Sequence, residues 1–244
     1  MGNPVVHFEI MSGDAEGAGK FYGELFGWHV EVVPEMNYGL VDTHAGDGIN
    51  GGIGTPPDGS TFTTIYVETD DLQAKLDQAE KLGAKTAMPV TDMGMVTVAM
   101  FIDPQGNLIG LVKSGPDAQE QGGVSSGSNA PVTWFEILGT DGKALRDFYA
   151  KLFDWHISAS AESSIDYGEV DTHGGRGIGG GIGASPMGKG AVTIYAQVED
   201  LDKTLEHAET LGGKTVVQPM DVSTISFAQF ADPQGNVFGI FKTR

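Results

Sequence analysis

Two glutamates are the residues of this chain best placed to do chemistry. Glu9 lies in VVHFEIM (Val5–Met11), and Glu136 lies in the matching stretch WFEI (Trp134–Ile137). On a pocket-facing strand, a carboxylate can accept hydrogen bonds from a ligand. It can also act as a general base if desolvation raises its pKa. The alternative is structural: a buried glutamate bonded to a neighbouring backbone or tyrosine group. His44 and His173 are a second pair of candidates, each following Asp-Thr at the end of a strand. Together with Asp42 and Asp171 they could form a metal or acid–base site. The fold would place them near a hairpin, where polar strand ends read as ordinary solvated turn residues.

Both histidines open a glycine-rich stretch. DTHGGRGIGGGIG (Asp171–Gly183) contains G-x-G-x-x-G at Gly175, Gly177 and Gly180, and DTHAGDGINGGIG (Asp42–Gly54) repeats it at Gly46, Gly48 and Gly51. A dinucleotide fingerprint must follow a strand and open a helix. Here the stretches run into ASPMGKGAVTIYAQV and TPPDGSTFTTIYV, a turn and then a strand. The required helix is missing, so the glycines are assigned to a hairpin and to a strand that closely approaches another backbone or a ligand.

The elements that position these residues occur twice. HFEI at His7 matches WFEI at Trp134, and FYGELFGW (Phe21–Trp28) matches FYAKLFDW (Phe148–Trp155), both at an offset of 127. YGLVDTH and YGEVDTH, the two TIY segments and the two DPQGN segments follow at an offset of 129. Two homologous halves result: residues 1–113 and 132–244, joined by a Gly/Ser/Pro/Gln-rich flexible linker over 114–131. Each half reads as βαβββ twice. In the first half, strands are expected at Val5–Met11, Trp28–Val33, Tyr38–Thr43, Phe62–Thr69, Val96–Asp103 and Asn107–Lys113. Helices are expected over Asp14–Gly27 and Asp71–Gly83. Strand alternation puts His7, Glu9 and Met11 on one face and Phe8 and Ile10 on the other. Trp134, Glu136 and Leu138 form the matching set. Thr64, Tyr66 and Glu68 share a face further on, as do Thr193, Tyr195 and Gln197. Trp28 and Trp155 read as packing residues.

Composition narrows the function. With 14 Lys+Arg against 33 Asp+Glu, the net charge is −19, which argues against nucleic acid and anionic membrane surfaces. Anionic ligands would be repelled at long range. There are no cysteines, so disulfides, thiolate catalysis and cysteine-ligated metals are excluded. Neither a signal-peptide pattern nor an apolar run of membrane-spanning length is visible, and a cytoplasmic location is expected.

The segments HFEI…FYGELFGW and WFEI…FYAKLFDW, with the two F-x-DPQGN segments at Phe101–Asn107 and Phe230–Asn236, resemble the vicinal oxygen chelate superfamily. This is the glyoxalase/bleomycin-resistance/extradiol-dioxygenase group, and the tandem form is similar to actinobacterial double-domain members. The resemblance implies an α+β fold of two tandem domains, each of two βαβββ modules forming a cupped mixed sheet around a cavity. Metalloenzymes of the family hold a divalent ion with His or Gln, Glu, His and Glu. Those positions fall here on His7, Asn50 or Gly51, Thr64 and Gly110, and on Trp134, Gly179 or Gly180, Thr193 and Gly239. One imidazole and at most one amide do not make a divalent site. The expectation is therefore a domain without the family metal, whose glycines vacate the metal corner and leave room for a ligand. Glu9 and Glu136 are the candidate catalytic residues. His7, Met11, Asn50, Thr64, Tyr66, Gly110, Trp134, Thr193, Tyr195 and Gly239 would line the cups.

The partner expected is a small, neutral or cationic, partly aromatic molecule, taken up for sequestration, for resistance or for metal-free catalysis by a monomer or homodimer. The alternatives are a lyase or dioxygenase using one divalent metal with His7 and non-standard ligands, and a non-catalytic interaction protein.

Overall fold

The computed structural model of the chain describes residues 2–33, 37–94, 96–113, 129–159 and 166–244. Its first half runs β1 (Val5–Met11), α1 (Ala15–Phe26), β2 (His29–Val33), β3 (Tyr38–Asp42), β4 (Gly51–Gly54), β5 (Phe62–Glu68), α2 (Leu72–Lys81), β6 (Lys85–Asp92), β7 (Thr97–Ile102) and β8 (Leu108–Lys113). The second repeats it as β9 (Val132–Gly139), α3 (Gly142–Phe153), β10 (His156–Ala159), β11 (Tyr167–Asp171), β12 (Gly179–Ala184), β13 (Ala191–Gln197), α4 (Leu201–Thr210), β14 (Lys214–Val222), β15 (Ile225–Ala231) and β16 (Val237–Thr243). The strands form two eight-stranded mixed sheets, ordered β2-β3-β4-β1-β5-β8-β7-β6 and β10-β11-β12-β9-β13-β16-β15-β14. The fold is α+β, with βαβββ used four times.

Sequence patterning missed β6 and β14. Each is a sheet-edge strand carrying a proline, Pro89 and Pro219, and each shows a register shift across it, between Met88 and Thr91 and between Val217 and Met220. Proline cannot donate to a ladder, so it is tolerated only at edges and bulges, and it masks the strand in the sequence. The helix starts were legible. Asp14, Asp71, Asp141 and Asp200 each cap a helix by accepting a backbone N–H of its first turn. Such a cap contributes about 1 kcal/mol.

By packing, the described residues divide into two compact units. One comprises Met1–His7, Thr64–Glu120 and Trp134–Val192, and the other Phe8–Thr63, Gln121–Thr133 and Thr193–Arg244. The DPQGN turns explain why. In the first unit Asp103 accepts hydrogen bonds from the backbone N–H groups of Gln105 and Asn107, from the Asn107 amide and from the Tyr149 hydroxyl of α3. In the second, Asp232 does the same for Gln234, Asn236 and Tyr22 of α1. Burial, and then the adjacent carboxylate, push both tyrosine hydroxyls well above their ordinary pKa, so both remain neutral donors. Trp28 stacks on Tyr22, and Trp155 on Tyr149, each at 15° between planes. The indoles also donate to Ala130 O at 3.0 Å and Asn3 O at 2.7 Å. Residues 114–128 of the expected linker lie outside the described residues. Ala130 is buried and held by the Trp28 bond.

Candidate functional site

The two glutamates stand in the same setting. β4 pairs in parallel with β1, with Gly52 opposite Glu9. Tyr38 opens β3 on the other side of β4 and donates its hydroxyl to Glu9 Oε1 at 3.0 Å, reaching across the glycine. A Cβ at Gly52 would overlap that hydroxyl. In the second half Gly181 lies opposite Glu136, and Tyr167 donates to Glu136 Oε1 at 2.9 Å across it. The Trp134 indole adds a donor to the Tyr167 hydroxyl at 3.3 Å. Burial, and then the Glu136 charge, push Tyr167 far above the ordinary tyrosine pKa. It stays protonated at any working pH and serves as a fixed donor to the carboxylate.

The glycines therefore do not leave a vacant corner. Gly52 and Gly181 admit the tyrosine hydroxyls, while Gly51 and Gly180 admit the rings of Phe8 and Phe135. The space assigned to a ligand at Gly110 and Gly239 is likewise filled, because the Tyr66 and Tyr195 rings lie where a Cβ would be. Tyr66 pairs directly with Gly110, and Tyr195 with Gly239. Asn50 is drawn into the hairpin, its Oδ1 accepting from the Thr43 N–H at 2.9 Å and the Thr43 hydroxyl at 3.1 Å. Thr64 is fully buried and donates to Leu108 O at 2.7 Å. Thr193 is buried, while Met11 is half-buried on β1.

The surroundings of the two seated tyrosines differ. Tyr66 packs with Met100 and Val112 in a cluster bordered by Val6, Met88, Val98 and Leu108, and its hydroxyl lies 3.9 Å from Met100 Sδ. His7 meets the Tyr66 ring edge-on at 5.8 Å. Desolvation pulls the His7 imidazole down to a pKa of about 4, so it is neutral near pH 7. Tyr195 instead accepts a hydrogen bond from the Gln229 amide at 2.6 Å, with Phe227 nearby.

These residues do not fit the metal that the family resemblance implies. Thr64 is committed to a backbone carbonyl, Gly110 and Gly239 lie beneath tyrosine rings, and Trp134 stands in the place of His7. Among the described residues no three His, Cys, Asp or Glu side chains converge to hold a metal ion.

His44 and His173 stand at matching places in the two halves. Each lies against a histidine of its own half, His29 or His156, which sequence reasoning passed over. The available signal was register: His29 pairs with Asp42, and His156 with Asp171.

Elsewhere the units differ in one opening. In the first, Lys75 and Gln78 of α2 donate to Leu152 O and Lys151 O at 2.9 Å each, at the end of α3. The equivalent residues in the second are the shorter Thr204 and His207, and they border a groove of about 770 Å³ that also includes Leu25, Phe26, Lys203 and Lys242.

Paired βαβββ modules building two eight-stranded mixed sheets are the architecture of a tandem protein of the glyoxalase type. Two family models match it: Glyoxalase/Bleomycin resistance protein/Dioxygenase superfamily over residues 5–111, and Glyoxalase-like domain over 136–241. The chain belongs to this superfamily. It is 27% identical over 96% of its length to CFP32 of Mycobacterium tuberculosis, a protein bearing a provisional glyoxylase name, and covers 92% of it. It is 29% identical over 97% of its length to the anthracycline biosynthesis protein DnrV of Streptomyces peucetius, again covering 92%. Among solved structures, homoprotocatechuate 2,3-dioxygenase of Brevibacterium fuscum superposes with a TM-score of 0.72 at 14% identity, covering 98% of this chain and 81% of that one. The Mn(II)-bound glyoxalase of Novosphingobium aromaticivorans gives 0.67 at 14% identity, covering 99% and 81%. At such identities the structural likeness shows the fold alone. No helix among the described residues is long and apolar enough to cross a membrane.

Proposed function

We propose that this chain binds a small, neutral, partly aromatic molecule without a metal, and that the Glu136–Tyr167–Trp134 cluster is its principal polar anchor. The observation carrying this reading is the tyrosine-to-glutamate hydrogen bond, present at the same place in both halves. Tyr167 donates to one carboxylate oxygen and holds the group in one orientation. A ligand hydroxyl or N–H is the natural further donor, and the Trp134 ring offers a surface for an aromatic plane. The charge of −19 disfavours anions. Similarity to a protein named for anthracycline biosynthesis supports a hydroxylated polycyclic ligand. Glu9 with Tyr38 is the counterpart in the first half. The same geometry supports metal-free proton transfer as a second reading, since a carboxylate fixed by a permanently protonated tyrosine is a positioned general base.

The test is a titration of chelator-treated protein with a dihydroxyanthraquinone, followed by tryptophan quenching. Saturable binding is expected, weakened about tenfold or more by Glu136→Gln, the loss of one charge-assisted hydrogen bond. Binding that appears only after metal is restored would overturn the reading. So would binding that Glu136→Gln and Glu9→Gln together leave unchanged.

A further inference from the structure

We propose that each half carries a two-histidine site for a divalent transition-metal ion of the zinc and copper class, formed by His29 with His44 and by His156 with His173. Of the six histidines in the chain, four fall in these two pairs, which makes an accidental surface scatter a poor explanation. The rings of each pair are 5.8 Å apart between centroids. Two imidazoles sharing one ion at about 2.1 Å per bond would have centroids roughly 5–6 Å apart.

The aspartates prepare the second histidine of each pair. Asp42 Oδ1 accepts the His44 backbone N–H at 2.8 Å, and its Oδ2 lies 3.2 Å from His44 Nδ1. Asp171 holds His173 the same way, at 2.8 and 3.5 Å. A carboxylate beside Nδ1 is the arrangement found behind metal-binding histidines, where it favours the tautomer whose Nε2 serves as the ligand. The aspartate backs the histidine instead of adding a third ligand, so water completes the coordination. The His156 Nε2 also lies 3.3 Å from Ser158 Oγ, a contact a metal ion would replace.

Both His44 and His173 sit at positive φ, +50° and +48°, where glycine or asparagine is the economical choice. The residues that follow have diverged, Ala45-Gly46-Asp47 in one half and Gly174-Gly175-Arg176 in the other, while His, His and Asp stay the same. The His44 and His173 side chains are 47% and 59% exposed, so an ion reaches them directly from solvent.

The test uses the full chain, stripped with chelator and dialysed, titrated with Zn²⁺ or Cu²⁺ alone. Two saturable sites per chain are expected, the copper sites the tighter. His44→Asn should remove one site, and His44→Asn with His173→Asn should remove both. Asparagine accepts positive φ, so these variants keep the backbone. Asp42→Asn should weaken its site about tenfold or more. In the copper form, magnetic resonance should report two imidazole nitrogens per ion. A single nitrogen per ion, a stoichiometry unchanged in the double variant, or the absence of saturable binding would each overturn the proposal.

Discussion

Tyr66 and Tyr195 occupy the same seat in the two halves and keep different company. Each ring rests on a glycine of the paired strand, Gly110 or Gly239. Around Tyr66 lie a thioether, aliphatic chains and a neutral imidazole. Tyr195 is bonded to an amide, with Phe227 nearby. The backbone requirement is retained and the lining chemistry is free to vary. Duplication thus gives one scaffold two different tyrosine environments.

The sharpest way to break this comparison is to attack what the halves share. Asp103→Ala and Asp232→Ala each remove the shared acceptor of four hydrogen bonds, three of them buried, and each should cost about 4 kcal/mol of stability by chemical denaturation. Equal losses would support equivalence of the two turns, and a loss confined to one would end it.

A smaller effect should separate the halves. The His7 pKa is lowered from 6.5 to about 4 in the fold. Above pH 6.5 the neutral ring costs nothing. As pH falls from 6.5 towards 4 the unfolded chain takes up a proton that the folded chain refuses, so stability is lost through that window and levels off below it. The loss attributable to His7 is at most about 3 kcal/mol. His7→Gln should remove this slope from a pH series of denaturation midpoints, whereas Trp134 carries no proton and has no such slope to lose.

The smallest effect concerns the neighbours themselves. Gln229→Met should cost about 1 kcal/mol, the net worth of its bond to Tyr195. Met100→Gln should cost about 2 kcal/mol, because its amide enters an aliphatic cluster. If both exchanges are neutral, the two linings are interchangeable and the contrast between the tyrosine environments carries no energetic weight.

Much of this was legible in the sequence. The repeat, the helices beginning near Asp14 and Asp71 and the strand faces follow from spacing and alternation. A tyrosine or backbone partner for the glutamates was foreseen as an alternative, but not which tyrosine, because Tyr38 reaches Glu9 across an intervening strand. The role of the glycines was misread for a related reason. A missing side chain looks like free space until the neighbouring strand's ring is known to fill it. His29 was passed over because its partners depend on hairpin register. The membership of the compact units depends on contacts such as Tyr22 with Asp232, 210 residues apart, which no local pattern reports.

That separation has a consequence during synthesis. At about 5–20 residues per second, Tyr22 is synthesised roughly 10–40 s before Asp232. For that interval the ring stack of Tyr22, Phe26 and Trp28 must wait without Phe230 and Phe238, its companions in the finished unit. The nascent N-terminal module thus keeps apolar ring surface unpacked until the segment carrying Phe230 and Phe238 is made.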